Sequence, residues 1–251
     1  MRLLLSNDDG FNAPGMQTLR RIAAELSDDV YIVAPEKEQS GASRSLTLHD
    51  PLRVHRYDEH EYSVEGTPTD CVMMAMNYLF KDEKPDLILS GVNRGGNLGE
   101  DVLYSGTVAA ASEGTLLGIR SIALSQCLLG TDTFYWETAE SLAPDIIRRL
   151  LKFEWAPDVL ININFPPVPP GEVVGVDVTH QGKRDLSNLS IDARVDARGR
   201  DYFWLGYRPS LGTPQKGSDL WAVAHGSVSV TPLSLNLTDI PLAQKMQKAF
   251  S

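Results

Sequence analysis

Basic residues are scarce in this sequence of 251 residues. Lys and Arg number 23 against 33 Asp and Glu, which gives a formal net charge of −10. No long basic run offsets this charge, so the sequence argues against stable binding to nucleic acid through charge alone. An anionic substrate would need a local positive potential, supplied by a bound cation or by the N-terminus of a helix.

Cysteine and histidine are also rare. The two cysteines, Cys71 and Cys127, lie in apolar surroundings without a paired spacing, and we expect buried, reduced thiols. The five histidines show no HxxxH or HxH spacing, so a zinc site is not predicted.

Long apolar runs are missing as well. The N-terminal run at residues 3–5 is too short for a signal peptide, and no stretch approaches the roughly 18 apolar residues of a membrane span. These absences predict a cytoplasmic protein without a membrane partner.

Short apolar runs alternate with helical patterns over the first 170 residues. Residues 3–6 and 30–34 are typical of buried strands, and apolar residues at helical spacing lie between them. This alternation predicts a doubly wound, mostly parallel α/β sheet. Further strands are predicted at 87–90, 121–124 and 158–164, and further helices from Thr67, over 106–118 and over 137–152.

The remainder of the chain has a different pattern. Residues 173–178 and 226–231 alternate as exposed strands do, the polar stretch between them suggests hairpins, and residues 239–250 could form a short amphipathic helix. We therefore expect an α/β core at 1–170 and a hairpin and tail region at 171–251. Unprotected strand edges in that region predict self-association.

Two adjacent carboxylates, Asp8 and Asp9, directly follow the first predicted strand. Ligands of open α/β sheets bind beyond the carboxyl ends of the strands, so these residues are the first candidates for a site. Neighbouring carboxylates repel each other unless a cation lies between them, and hard oxygen donors suit Mg²⁺, Mn²⁺ or Ca²⁺. An ordinary turn is the alternative, because Asn, Asp and Gly favour turns.

Three later segments contain hydroxyl, amide or backbone N–H groups that could bind a ligand. The small, hydroxyl-rich loop at 40–43 follows the second strand, and the glycine-rich loop that follows the strand at 87–90 offers the amides of Asn93 and Asn97. That loop lacks both the GxGxxG spacing and a Walker A Gly-Lys-Ser/Thr. Ser105-Gly106-Thr107 opens a helix of small residues, and free N–H groups at such a helix start form an anion site. Each segment could equally be a simple loop or helix cap.

Taken together, these motifs resemble the SurE (survival protein E) family, the stationary-phase survival nucleotidases. The resemblance covers essentially the whole chain, apart from residues 127–160 and 183–218. The matching motifs are Ser-Asn-Asp-Asp-Gly at 6–10, Ala-Pro-Gly at 13–15, Ser-Gly-Ala-Ser at 40–43, Gly-Thr-Pro-Thr-Asp at 66–70, Ser-Gly-Val-Asn at 90–93, Gly-Asn-Leu-Gly at 96–99 and Tyr-Ser-Gly-Thr at 104–107.

The resemblance implies a divalent-metal-dependent phosphatase that hydrolyses nucleoside 5′- or 3′-monophosphates, with some members also trimming polyphosphate. It implies a Rossmann-like core with a projecting C-terminal hairpin, and homodimers or homotetramers. Asp8, Asp9, Ser40 and Asn93 would bind one Mg²⁺ or Mn²⁺, with Ca²⁺ as a crystallisation substitute. Asp8 and Asp9 are the catalytic candidates. The phosphate-binding candidates are Asn93, Asn97, Ser105, Gly106 and Thr107.

Two alternatives to this interpretation stay open, one catalytic and one non-catalytic. A covalent aspartyl-phosphate enzyme usually places its second acid two residues after the nucleophile, whereas here the acids are adjacent. A non-catalytic nucleotide-binding module would need phosphate donors but has little use for two touching carboxylates. Metal-dependent turnover separates a nucleotidase from the binding module, and the absence of an acid-stable phosphoenzyme separates direct attack by water from the covalent mechanism.

Overall fold

The computed structural model describes residues 1–128, 133–184, 189–207 and 213–250. These residues form eleven strands and six α-helices. The strands are β1 Leu3–Ser6, β2 Val30–Pro35, β3 Val54–Asp58, β4 Glu61–Val64, β5 Leu87–Arg94, β6 Arg120–Gln126, β7 Val159–Phe165, β8 Gly175–Val178, β9 Leu189–Val195, β10 Asp201–Tyr207 and β11 Ser227–Ser234. The helices are α1 Pro14–Ala24, α2 Pro68–Met74, α3 Gly106–Leu116, α4 Trp136–Leu150, α5 Asp219–Ala224 and α6 Ile240–Phe250.

Nine strands form one central sheet in the order β3-β4-β2-β1-β5-β6-β7-β11-β8. The six strands from β4 to β7 in this order run parallel. Strand β3 pairs antiparallel with β4, and β11 pairs antiparallel with β7 but parallel with β8. The chain winds from β1 to β2 on one side and later continues through β5 on the other. The sheet therefore reverses its winding between β1 and β5, which is where ligands bind in such folds.

Both faces of this sheet are covered by helices. Leu3 and Leu5 of β1 pack in the cluster that contains residues of α1 and α4, whereas Leu4 packs in the cluster that contains residues of α2 and α3. Successive strand residues point to opposite faces, so a continuous apolar strand is required between two helical layers. The predicted doubly wound α/β fold with a mostly parallel sheet is thus confirmed.

The strands beyond residue 170 divide between two sheets. Strands β8 and β11 extend the central sheet, while β9 and β10 form a separate antiparallel hairpin. The prediction that 226–231 is an exposed edge strand is wrong, because β11 lies between β7 and β8 and its first five residues are buried. The division of the chain at residue 170 stays a prediction.

The tail forms the predicted helix, α6, and the structure leaves its apolar side chains exposed. Both cysteines are buried and unpaired, as expected. In the part of the chain that the structure describes, no helix is both long and apolar enough to cross a membrane.

Candidate active site at the carboxyl edge of the sheet

Strands β1 and β5 bring two of the predicted segments side by side. Each strand ends at the same edge, where β1 leads into Asp8 and Asp9 and β5 extends to Arg94. The backbone N–H of Arg94 donates a hydrogen bond of 3.0 Å to Asp9 Oδ2. A register shift between Ser90 and Asn93 in the β5–β6 pairing changes the course of β5 at this point. Such irregularities commonly re-aim side chains beside active sites.

The start of α3 packs directly on Asp8. The Thr107 hydroxyl donates a hydrogen bond to Asp8 Oδ1. A Cβ atom on Gly106 would lie 2.6 Å from the Cβ of Asp8, so only glycine allows the helix to approach this closely. The carboxylate is almost fully buried, with 4% of its residue surface exposed. Asp8 is therefore fixed at the positive end of the helix dipole.

Burial dominates the electrostatics of the aspartate pair. It raises the pKa of Asp8 to about 6; the Thr107 hydrogen bond opposes this rise, and the charge of Asp9 adds to it. Burial likewise raises the pKa of Asp9, opposed by the hydrogen bond from Arg94. Within the described residues, neither carboxylate forms an ion pair with Lys, Arg or His. Two close, largely buried acids thus lack a paired counter-charge, which favours a bound cation.

The hydroxyl-rich loop reaches the same edge through its backbone. The N–H of Gln39 donates a hydrogen bond of 2.8 Å to the backbone oxygen of Asp8. Ser40 follows directly and is exposed, and its hydroxyl donates to Glu38 Oε1 at 2.9 Å. Further along, the Ser43 hydroxyl donates to the carbonyl of Leu103, just before α3. The loop is thereby tied both to Asp8 and to the approach of α3.

The two candidate asparagines have different environments. Asn93 is partly buried, and its Nδ2 donates to Gly95 O at 2.8 Å, which leaves its Oδ1 without a hydrogen bond among the described residues. Asn97 is buried, and its Nδ2 donates to Ser125 Oγ at 2.8 Å. Its backbone oxygen accepts from Asn162 and Asn164. The amide of Asn97 is thus used in a buried network, and its phosphate contact stays a prediction.

The two hydroxyl groups at the start of α3 also already make hydrogen bonds within the protein. Ser105 Oγ accepts from the N–H of Val108 as a helix cap, and the hydroxyl of Thr107 is bonded to Asp8. The N–H of Gly106 makes no hydrogen bond within the described part of the chain. The N–H of Gly106, rather than the two hydroxyls, is therefore the donor that this helix start offers to an anion.

The donor set at this edge suits a hard divalent cation. It offers the carboxylates of Asp8 and Asp9, the free Oδ1 of Asn93 and the hydroxyl of Ser40, all of them oxygen ligands. These are the four residues predicted as metal ligands. A separate group of Glu36, His55 and Glu65 brings ligand atoms within 4.8 Å of one another, but its residues are partly or fully exposed.

A buried acid links this edge to the C-terminal part of the chain and was missed by the sequence analysis. Asp219, at the start of α5, accepts hydrogen bonds of 2.8 Å from the N–H groups of Gly99 and Gly182. Nearby, buried Arg184 forms an ion pair with Asp101. These contacts hold the turn that precedes α3. The sequence does contain a signal for this helix start. A Ser-Asp pair precedes an apolar run at 218–224, which is typical of a helix N-cap.

The fold and the site together define an α/β protein with an acidic pair and an open helix N-terminus at the carboxyl edge of a parallel sheet. The family model described as "Survival protein SurE" matches residues 3–188, and this chain belongs to the SurE family.

Curated relatives and a solved structure agree with this assignment. A protein of Parvibaculum lavamentivorans, named 5′-nucleotidase SurE, is 51% identical over 99% of this chain and 91% of its own length. A protein of Caulobacter vibrioides with the same name is 56% identical over 95% of this chain and 92% of its own. The crystal structure of the SurE protein from Aquifex aeolicus matches with a TM-score of 0.86 and 38% identity, and each chain is covered completely.

We predict that Asp8→Asn stabilises the metal-free protein at neutral pH. Burial raises the pKa of this carboxyl from its ordinary value of 3.8 in the unfolded chain to about 6 in the folded protein. Stability from this group is therefore lost as pH rises from about 4 to 6, by on the order of 2–3 kcal/mol. Chemical unfolding in EDTA should show the variant more stable at pH 7.5, with the difference shrinking towards pH 4.

Asp145→Asn is the matched control, because Asp145 is exposed on α4. It should leave the free energy of unfolding unchanged across the same pH range. Equal stability of wild type and Asp8→Asn at both ends of the range would contradict the buried-carboxylate account.

Proposed function

We propose that this protein is a divalent-metal-dependent phosphomonoesterase that hydrolyses nucleoside 5′- and 3′-monophosphates to nucleoside and inorganic phosphate. The observation that carries the proposal is the Asp8–Asp9 pair, held without a paired counter-charge beside the free N–H of Gly106. The name 5′-nucleotidase of the curated relatives supports the choice of substrate class.

Four residues would hold the cation: Asp8, Asp9, Ser40 and Asn93. When bound, a Mg²⁺ or Mn²⁺ ion neutralises phosphate charge and makes a water molecule more acidic. Because the chain carries a net charge of −10, a dianionic substrate would otherwise meet a repulsive field.

The residues of the chain supply position and proton transfer. Thr107 and the N–H of Arg94 fix the Asp8 and Asp9 carboxylates, so neither has to reorganise during the reaction. The N–H of Gly106 would donate to a phosphoryl oxygen. A water oxygen forms the new bond to phosphorus as the ester P–O bond breaks. One water proton passes to one of the two aspartates, which returns it to the ester oxygen of the leaving nucleoside, while the other proton stays on the released phosphate.

Direct attack by water is favoured over an aspartyl-phosphate intermediate. Asp8 is buried and bonded to Thr107, and Asp9 Oδ2 accepts the N–H of Arg94, so both carboxylates are held as ligands rather than presented as nucleophiles. A non-catalytic binding module would not need this pair of buried acids.

Several finer points stay predictions from the sequence. They are activity on short polyphosphate, a cytoplasmic location and a part in stationary-phase survival. The preferred base and sugar depend on contacts that a substrate panel of 5′- and 3′-monophosphates would reveal.

We predict that turnover depends strictly on a divalent metal and on both aspartates. Metal-stripped protein should release no phosphate from AMP, and Mg²⁺ or Mn²⁺ should restore release. Asp9→Asn removes one charge from the site with little change in volume, and we expect activity to fall at least ~10²-fold. Asp145→Asn, exposed on α4, is the matched control and should keep wild-type kcat.

The measurement is phosphate release at saturating metal, with each variant checked for folding by circular dichroism. Undiminished turnover of stripped protein in excess EDTA would contradict the metal-dependent mechanism. Wild-type turnover by Asp9→Asn would remove Asp9 from the site.

We also propose that the protein assembles with a second copy through the β9–β10 hairpin. Ile191 pairs with Leu205 and Ala193 pairs with Phe203, which places these side chains on one face of the hairpin. Ile191, Phe203 and Leu205 are 62–83% exposed. An apolar face of this kind on a projecting hairpin favours an interface.

We predict that the double substitution Phe203→Ser with Leu205→Ser shifts a dimer or tetramer towards monomer, because it removes the apolar face. Light scattering coupled to size exclusion measures the mass, and Arg194→Ser on the opposite face is the control. A wild-type protein that runs at its chain mass of 27.6 kDa at micromolar concentration would contradict the proposal.

A further inference from the structure

Arg94 is an exposed cation immediately beside the aspartate pair. It is the last residue of β5 and follows Asn93 directly. Its backbone N–H bonds to Asp9 Oδ2 at 3.0 Å, so its main chain is fixed at the site. Sequence patterns do not predict a role for this residue, because it lies in a glycine-rich loop whose asparagine amides are the predicted ligands.

The guanidinium of Arg94 is held by an aromatic ring rather than by an acid. Its Cζ lies 4.8 Å from the centroid of the Phe134 ring. Phe134 in turn stacks on Trp136 at the start of α4, with ring centroids 5.5 Å apart and an interplanar angle of 16°. A cation–π contact of this kind orients the guanidinium without neutralising its charge.

Several other arginines that the structure describes are paired with acids, whereas Arg120, like Arg94, contacts an aromatic ring. Arg20 pairs with Glu61, Arg21 with Glu140 and Arg184 with Asp101. Within the residues that the structure describes, Arg94 forms no ion pair with an acidic side chain. An oriented guanidinium with unused N–H donors, next to an acidic pair, is suited to an anion that arrives with a cation.

We propose that Arg94 binds the phosphoryl group of the substrate, a role that rests on the proposed function of the same site. The guanidinium would donate to phosphoryl oxygens from the side of Asp9, while the N–H of Gly106 approaches from the side of Asp8. Phe134 acts as a positioning residue that holds the guanidinium in place. The attraction of Arg94 partly opposes the rise that burial causes in the pKa of Asp9, in keeping with its closeness to that carboxylate.

If Arg94 has this role, removing its charge should change the affinities for phosphate and for Mn²⁺ in opposite directions. A guanidinium near the site attracts phosphate but repels a divalent cation. Removing its charge by Arg94→Gln should therefore weaken phosphate binding about tenfold, the loss of a charge-assisted hydrogen bond. The same change should tighten Mn²⁺ binding about threefold, because a positive charge several ångströms away is removed.

The experiment uses isothermal titration calorimetry on the full chain. Mn²⁺ is titrated into metal-free protein, and inorganic phosphate is then titrated into the Mn²⁺-loaded protein. Phe134→Leu should weaken phosphate binding about threefold with unchanged Mn²⁺ affinity, because the charge is kept but less well oriented. Arg120→Gln is the matched control, since Arg120 stacks on Trp155 in the same way, with 5.1 Å between Cζ and ring centroid.

The outcomes separate this inference from the proposed function. Weaker phosphate with tighter Mn²⁺ in Arg94→Gln supports the role of Arg94. Phosphate affinity equal to that of Arg120→Gln overturns it, and so does a loss of both affinities, which would indicate a disturbed Asn93. Wild-type protein that binds neither Mn²⁺ nor phosphate overturns the proposed function, and this inference with it.

Discussion

The rest of the site depends on the burial of two adjacent carboxylates without a paired counter-charge. Asp8 is almost completely removed from water, and both its burial and the negative charge of Asp9 disfavour the ionised form of its carboxyl group. Burying a charge is costly unless it is paired, so this arrangement is strained until a cation is present. The fold supports it because β1 and β5 lie side by side and both end at this edge of the sheet, where the chain changes its winding direction.

The surrounding structure serves to hold that pair in place. Gly106 allows α3 to touch Asp8, Thr107 bonds its carboxylate, and the N–H of Arg94 bonds Asp9. Farther out, Asp219 fixes the turn at Gly99 that leads into α3. The start of α3 is therefore more than an ordinary helix cap, because it packs directly on Asp8. The C-terminal part of the chain, through Asp219, stabilises the segment that leads to this helix start.

The sequence predicted the parts of this structure that local patterns encode. Continuous apolar runs revealed the strands buried on both faces, and Asp8 and Asp9 stood out because they directly follow β1. The β3–β4 hairpin was missed because β3 is almost wholly exposed and polar. Strand β11 was misjudged because its alternation resembles that of an edge strand, whereas it is buried between two neighbours. Arg94 escaped notice because Phe134, the ring that holds it, lies forty residues away in the chain.

The protonation of Asp8, followed by carbon-detected NMR of the carboxyl group with and without Mg²⁺, tests the central claim most directly. The account predicts a titration near pH 6 in metal-free protein, as burial raises this pKa to about 6. Saturating Mg²⁺ should move the titration to well below its metal-free midpoint, because the cation stabilises the ionised form. A carboxyl that titrates at an ordinary aspartate value in both samples would contradict the account.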